Sequence, residues 1–512
     1  MAFTSVNFAF FMLLGVPLYY FCPKKLRYLV LLALSYVFYL SGGVYALGYI
    51  LFTTFTTYFF GRCIDNVKPG GTAVAKEEKI KIKNRKKIFA AAALILNFGL
   101  LYFVKYWNFT LDLIHVPNNI LRFNILLPLG ISFYIFQSAG YIIDLVRGKY
   151  PAQKNIFKYA LFVSFFPQIT QGPIGRYDAL QGQLYDGCDF SFDNIKDGSK
   201  LILRGLILKM VIADRASVAV CSIVDNYKNF SGSFILFGVI LYCIQLYCDF
   251  SGGIDIARGS AKFFGITLAE NFNRPLFAKS LAEFWRRWHI TLGSWLRDYL
   301  FYPITLSKPF INLGKFMRKH IKGKAGKILP TSLATFIIYF IIGIWHGANF
   351  KYILFGCYNG IIITLSLLIE PYFIKIREKA KLKSSALYNF ACVIRTSLIV
   401  LVGRYITRAE NVSSALEMLK ITFCDFNFSS LFGGSLLKLG LEKIDFVVIA
   451  AGIFIVILIE FFNELGTDII GKIENLGVVP SFLLTFVFVS IFIYFGVYRG
   501  NYISSEFIYK QF

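Results

Sequence analysis

The chain is 512 residues long, 56% hydrophobic and 18% aromatic, with 56 Phe, 31 Tyr and a mean hydropathy of +0.60. It is too apolar for a soluble globular domain, and this composition marks an integral, multi-pass membrane protein. The formal net charge of +25 does not point to nucleic acid, because the Lys and Arg residues fall between apolar runs and not along one solvated face.

Runs long enough to cross a ~30 Å hydrocarbon layer recur at 28–60, 88–104, 124–146, 156–170, 200–224, 232–250, 331–370, 385–403, 444–463 and 480–498. Some must split into hairpins and others are too short, which predicts roughly ten to twelve spans plus re-entrant pieces. The first apolar stretch, from Val6, has neither a basic segment before it nor a small-residue cleavage site after it. It reads as a retained first span with the N-terminus outside. The basic stretches Lys76 to Lys87, Lys315 to Lys327 and Lys375 to Lys383 are predicted to be cytoplasmic, with a grip on anionic lipid headgroups as a by-product.

Polar residues inside apolar runs are the next signal. Gln137 and Asp144 in LPLGISFYIFQSAGYIIDL, and Asp249 and Asp255 in QLYCDFSGGIDIA, would be costly in lipid and should face a bundle interior or a water-filled cavity. Gly252 and Gly253 predict a broken helix. Pro167, Gly172, Pro173 and Gly175 in SFFPQITQGPIGRY read as the interruption of a re-entrant segment. Plain helix-breaking architecture is the alternative at each place.

Ser280 followed by Glu283 is a capping-box start, and Leu281, Trp285, Trp288, Leu292, Trp295 and Tyr299 recur at helical spacing opposite Arg286, Arg287, Ser294 and Arg297. The pattern predicts one amphipathic interfacial helix with His289 beside its apolar stripe. A satisfied histidine among aromatic anchors is the competing reading, and the three arginines read as lipid or structural contacts.

The run 331–370 lies between two basic stretches, so it must leave the cytoplasm and return as a hairpin. At 1.5 Å per residue, Thr331 to Trp345 covers about 22 Å, which places His346 inside the membrane or near its outer boundary. Gly343 and Gly347 bracket it and are expected to let helices approach and to leave room for a ligand beside the ring. An ionisable group at that depth is functional by default, against the alternative of a neutral histidine bonded to a backbone carbonyl.

Nine cysteines without a C-x-x-C pair give neither a disulfide framework nor a metal site. There is no Walker sequence and no G-x-G-x-x-G, and neither G-x-S-x-G nor H-E-x-x-H occurs. Histidine general-base chemistry remains.

The segments FVSFFPQITQGPIGRY, YCDFSGGIDIARG, LAENFNRPLFAKSLAEFWRRWHITLGSWLRDYLFYPI and GIWHGANFKYILFGCYNG, in that order, resemble the membrane-bound O-acyltransferase (MBOAT) family. The branch is the bacterial alginate O-acetyltransferase-like one, with the D-alanyl transfer protein of teichoic acid modification as a near relative. FTSVNFAFFMLLGVPLYY, LPLGISFYIFQSAGYIIDLVRG, GLILKMVIADR and FIYKQF resemble that branch too, so the match spans nearly the whole chain.

The resemblance implies an all-α polytopic fold in a single domain over 1–512, with roughly 11 transmembrane helices in a ring, plus re-entrant and interfacial helices, around a central tunnel. It implies the family's invariant histidine at His346 and its second catalytic position at His289. Trp345, Trp288, Trp285, Asp249, Asn273 and Gln137 are the candidates for lining the substrate tunnel. Two phrases depart from the family pattern: Asn359 in CYNG stands where a histidine is expected, and YITRAEN replaces a more aromatic form.

In function, the resemblance implies a bacterial plasma-membrane enzyme with no bound cofactor. Its acyl donor is a cytoplasmic thioester, acetyl-CoA first and an acyl carrier protein second. The acceptor is a hydroxyl of a surface or secreted polysaccharide, reached directly or through an extracytoplasmic SGNH-type acetyltransferase partner. His346 acts as the general base, and His289 orients a substrate or stabilises the oxyanion. The alternatives are a teichoic acid D-alanyl transfer subunit and a non-enzymatic polysaccharide or lipid flippase.

Overall fold

The computed structural model describes residues 1–68, 76–117, 122–123, 127–321, 323, 325–379, 385–432, 434–498 and 507. Positions 124–126 of one predicted run, Lys322 and Lys324 of the second basic stretch, 380–383 of the third and FIYKQF beyond Phe507 lie outside the described residues. Among the described residues the regular structure is helical, and the bridge between Phe272 and Trp288 is isolated.

Among the described residues, eight helices are long and apolar enough to cross a membrane: Val44–Asn66, Lys76–Lys105, Gly232–Lys262, Ala325–His346, Phe350–Glu370, Ala386–Arg408, Lys443–Glu464 and Val478–Phe495. Their outer faces are what a bilayer requires. Val478–Phe495 buries none of its residues, and Phe482, Leu483, Phe486 and Ile493 stand exposed. In water such a surface would be an aggregation patch. The shortfall from the ten to twelve expected spans lies in runs that fold as shorter pieces, such as Ile131–Arg147 and Ile156–Ser164 followed by Phe166–Ile169.

The chain forms two compact units, Met1–Ile202 with Gly253–Ala269, and Leu203–Gly252 with Glu270 onward. In the first unit, Ile131–Arg147 starts and ends at left-handed glycines, Gly130 and Gly148, and is buried along almost its whole length. Tyr141 packs against Tyr159 and Tyr177 with ring centroids 4.7 and 4.8 Å away. Gln137 is buried there and its Nε2 donates to the Phe162 carbonyl at 2.5 Å. The carboxylates read as interior are indeed buried, Asp144 beside Arg147 and Lys149 and Asp255 beside Arg258.

One expected break is absent. Gly232–Lys262 runs through Gly252 and Gly253 as 31 continuous helical residues. Gly252 serves proximity, as does Gly259 two turns on: a Cβ added at Gly252 would lie 2.7 Å from the Gly205 carbonyl oxygen, and one at Gly259 2.5 Å from that of Gly198. Small residues that let backbones touch are how helices associate in lipid, where burial of apolar surface gives no drive.

In the second unit, a π-helical turn, Ile207–Ala213, follows Phe192–Leu206 and precedes Asp214–Val224. Such bulges concentrate at functional positions. This one holds Lys209, wholly buried, 2.6 Å from Asp249 and 2.7 Å from Asp214. Arg215 donates to Asp445, and the Tyr247 hydroxyl to Glu460. The predicted hairpin is present as Ala325–His346 and Phe350–Lys379. It is antiparallel, with Gly343 against Gly356 and Gly360 against Phe336 and Tyr339.

Candidate active site

His346 is the last residue of its helix and 9% exposed; His289 is 3% exposed. The Trp345 ring packs near both, its centroid 5.0 Å from the His346 ring and 6.0 Å from the His289 ring. The spacing of Trp-His in one segment and Trp-His in the other therefore resolves into a single aromatic cluster within the second unit. Phe355 meets the His346 ring edge-on at 5.7 Å and Tyr352 stacks at 6.2 Å. Phe250 meets the His289 ring edge-on at 4.9 Å.

The glycines beside His346 do not leave a ligand gap. A Cβ at Gly343 would sit 2.5 Å from the Tyr352 carbonyl oxygen, and one at Gly347 would sit 2.6 Å from the Tyr352 ring. The space is taken by the returning helix, which places Tyr352 and Phe355 against the imidazole.

The single amphipathic helix expected over 280–299 is also corrected. Its capped start is there, with Ser280 Oγ accepting from the Glu283 N–H at 3.1 Å, but Leu281–Arg287 stops at an extended Trp288. His289 turns left-handed, with φ 49° and ψ 53°, before Ile290–Leu296 begins and runs into a π turn, Arg297–Phe301. A non-glycine residue in that region is uncommon and costs about 1–2 kcal/mol. Helical spacing cannot reveal such a corner, because both halves keep the same apolar period.

The corner is held by a short clasp. The Phe272–Trp288 bridge is flanked by Asn273 N–H to the Arg287 carbonyl and Ile290 N–H to the Asn271 carbonyl, both 3.0 Å. Arg274 is left-handed as well. Arg287 holds Glu464 with both terminal nitrogens at 2.9 Å and Glu283 at 2.6 Å. Arg274 adds contacts to Glu464 and to the Asn463 carbonyl. The guanidinium that sequence reading assigned to lipid or structure thus ties the clasp to the end of Lys443–Glu464.

The other candidates take definite places. Trp285 donates from Nε1 to Asn359 Oδ1 at 3.0 Å, so the departure in CYNG is a working acceptor. Trp288 stacks on Phe284 at 5.5 Å and lies under the Arg404 guanidinium at 5.1 Å. Asp249 precedes Phe250 and pairs with Lys209. Asn273 is exposed and accepts from Arg274 Nε at 2.9 Å. Gln137 belongs to the other unit.

Three residues of consequence escaped sequence reading. Lys209 sits inside the run 200–224, where a charged group in an apolar span was signal enough. Tyr352 and Asn271 gave none, since their roles depend on how the hairpin turn and the clasp fold back, which helical spacing does not report. Burial holds the His289 imidazole down at about 3 against the usual 6.5. Near neutral pH its ring is uncharged, with one nitrogen able to donate and the other to accept.

Comparison with known proteins identifies the family. The family model described as "MBOAT, membrane-bound O-acyltransferase family" matches residues 151–403, which contain both histidines. The chain is 32% identical over 480 residues to the probable alginate O-acetylase AlgI of Pseudomonas syringae pv. tomato, covering 91% of this chain and 84% of that protein. It is 29% identical to the peptidoglycan O-acetyltransferase of Helicobacter pylori, over 65% of this chain and 64% of that one. It is 27% identical to the teichoic acid D-alanyltransferase of Bacillus subtilis, over 57% and 70%. With the aromatic cluster, the membrane helices and a relative matched across most of both lengths, the chain belongs to the membrane-bound O-acyltransferase family.

Proposed function

We propose that this protein moves an acetyl group from a cytoplasmic thioester, acetyl-CoA, to a hydroxyl of an extracellular polysaccharide, directly or through an extracytoplasmic SGNH-type partner. The observation that carries the reading is the pair of buried imidazoles near Trp345 in a chain whose relatives include alginate and peptidoglycan O-acetylating proteins. In the reaction, the acceptor oxygen attacks the thioester carbonyl, a C–O bond forms and the C–S bond breaks. His346 takes the hydroxyl proton and returns it to the leaving thiolate. His289, neutral at this burial, donates one N–H to the developing oxyanion or orients the acceptor. Because donor and acceptor approach from opposite sides of the plasma membrane, the proposal includes a tunnel through a ring of about 11 spans.

A second reading, transfer of D-alanine to teichoic acid from an acyl carrier protein, is favoured by the similarity to D-alanyltransferases. Mass spectrometry of base-released acyl groups from cell-surface polymers, in wild type and His346→Ala, separates the two. Loss of acetate supports the first and loss of D-alanine the second. Unchanged levels of both would refute each.

A further inference from the structure

The helix that begins at Ile290 has its cap position occupied by His289, whose side chain makes no capping hydrogen bond. The first N–H groups of a helix have no partner within it and are normally satisfied by the cap residue's own side chain. Here they are satisfied from a different segment. The Asn271 carbonyl accepts from Ile290 N–H at 3.0 Å. Its side-chain Oδ1 accepts from Thr291 N–H at 2.9 Å and from the Thr291 hydroxyl at 2.6 Å. Asn271 is 1% exposed, so these bonds are made away from water, where they hold geometry most firmly.

We infer that Asn271 is a positioning residue for His289. It caps the 290–296 helix in place of the residue at the cap position, and so relieves the imidazole of capping while fixing the left-handed backbone that carries the ring. The Asn271 amide is locked in one orientation, because only its oxygen can accept from the Thr291 N–H. Among the described residues its Nδ2 has no hydrogen-bond partner. The bonds its two oxygens accept all come from Ile290 and Thr291, the two residues that follow His289.

This inference rests on the acetyl-transfer reading, and the test keeps the two apart. Acetyl transfer from radiolabelled acetyl-CoA is measured with the purified full-length protein in proteoliposomes, together with thermal unfolding in detergent. If wild type fails to transfer acetate, the functional reading fails and the inference with it. If wild type is active, Asn271→Ala is expected to lower kcat by about 10- to 100-fold, the effect of a misplaced catalytic group, with KM for acetyl-CoA within about twofold of wild type.

Asn271→Asp keeps an acceptor oxygen for Thr291 and is expected to restore at least about a third of wild-type kcat. Thr291→Val, which removes the hydroxyl bond and keeps the N–H bond, should fall between wild type and Asn271→Ala at unchanged melting temperature. The inference is overturned if Asn271→Ala keeps wild-type kcat, or if Asn271→Asp is as slow as Asn271→Ala. Should Asn271→Ala fail to fold, Thr291→Val decides, and full kcat in that variant refutes the inference.

Discussion

Replacing Gly343 by alanine tests whether the hairpin glycines set the His346 site. The added Cβ would lie 2.5 Å from the Tyr352 carbonyl oxygen and 3.0 Å from the Gly356 Cα. Both are backbone atoms, so no side chain can rotate away. Restoring ordinary contact requires the two helices to part by roughly 1 Å. Overpacking of this kind costs about 1–3 kcal/mol, and a displacement of that size at a catalytic group lowers rate by about 10²-fold. His346 lies three residues beyond Gly343, and Tyr352 and Phe355, which meet its ring, lie on the opposing helix. Both losses should therefore appear together.

Gly99 is the control. It is also inside a candidate membrane helix, but a Cβ there meets nothing within 4 Å. Gly99→Ala should leave activity unchanged and stabilise by up to about 1 kcal/mol through helix propensity. The assay is acetyl transfer in proteoliposomes alongside melting in detergent. Wild-type rate and melting temperature in Gly343→Ala would refute the assignment of this glycine to close approach.

Lys209→Met leaves Asp214 and Asp249 buried without the ammonium now 2.7 and 2.6 Å away. A loss of about 3–5 kcal/mol is expected, partly recovered in Lys209→Met with Asp249→Asn, as read by thermal unfolding. His289 titrates at about 3 in the fold against 6.5 for the free side chain. Its neutral form is favoured by folding, so its contribution to stability is complete above pH 6.5 and is lost as pH falls from there towards 3. Melting profiles taken at pH 6.5 and pH 5 should show a destabilisation of about 2 kcal/mol in wild type that is absent in His289→Gln. On the proposed mechanism, the acidic limb of the pH–rate profile should keep its midpoint in His289→Gln; a shifted midpoint would place the titrating base at His289.

Much of the candidate site is legible in the amino-acid sequence. A histidine directly after tryptophan, deep in an apolar chain, needs a partner or a function, and both such histidines converge on Trp345. Asn271 was not legible, whereas Asn273 two residues on was a candidate through the family resemblance and lies exposed on the clasp. What separates the two is their partners: the Asn271 oxygens accept from Ile290 and Thr291, while the Asn273 side chain meets Arg274. The glycines were legible in part. Close helix approach is found at Gly343, whereas the break expected at Gly252 is a close approach to the Gly205 carbonyl and the room expected at Gly347 is filled by the Tyr352 ring. A sequence shows a missing side chain without showing what fills the gap.

Composition and hydrophobic run length alone determined that this protein lives in a membrane, because a helix must satisfy its own backbone and expose apolar side chains to cross one. The same reading located the hairpin whose first helix ends at His346, since positive charge on both flanks makes the chain turn between them. Tertiary structure decided how the chemistry is assembled. The left-handed corner at His289, its capping by Asn271, the pairing of Lys209 with Asp249 and the stacking of Tyr352 on His346 all depend on how separate helices and turns meet. Periodicity reports only which face of an element is apolar, and such contacts are settled when those faces meet.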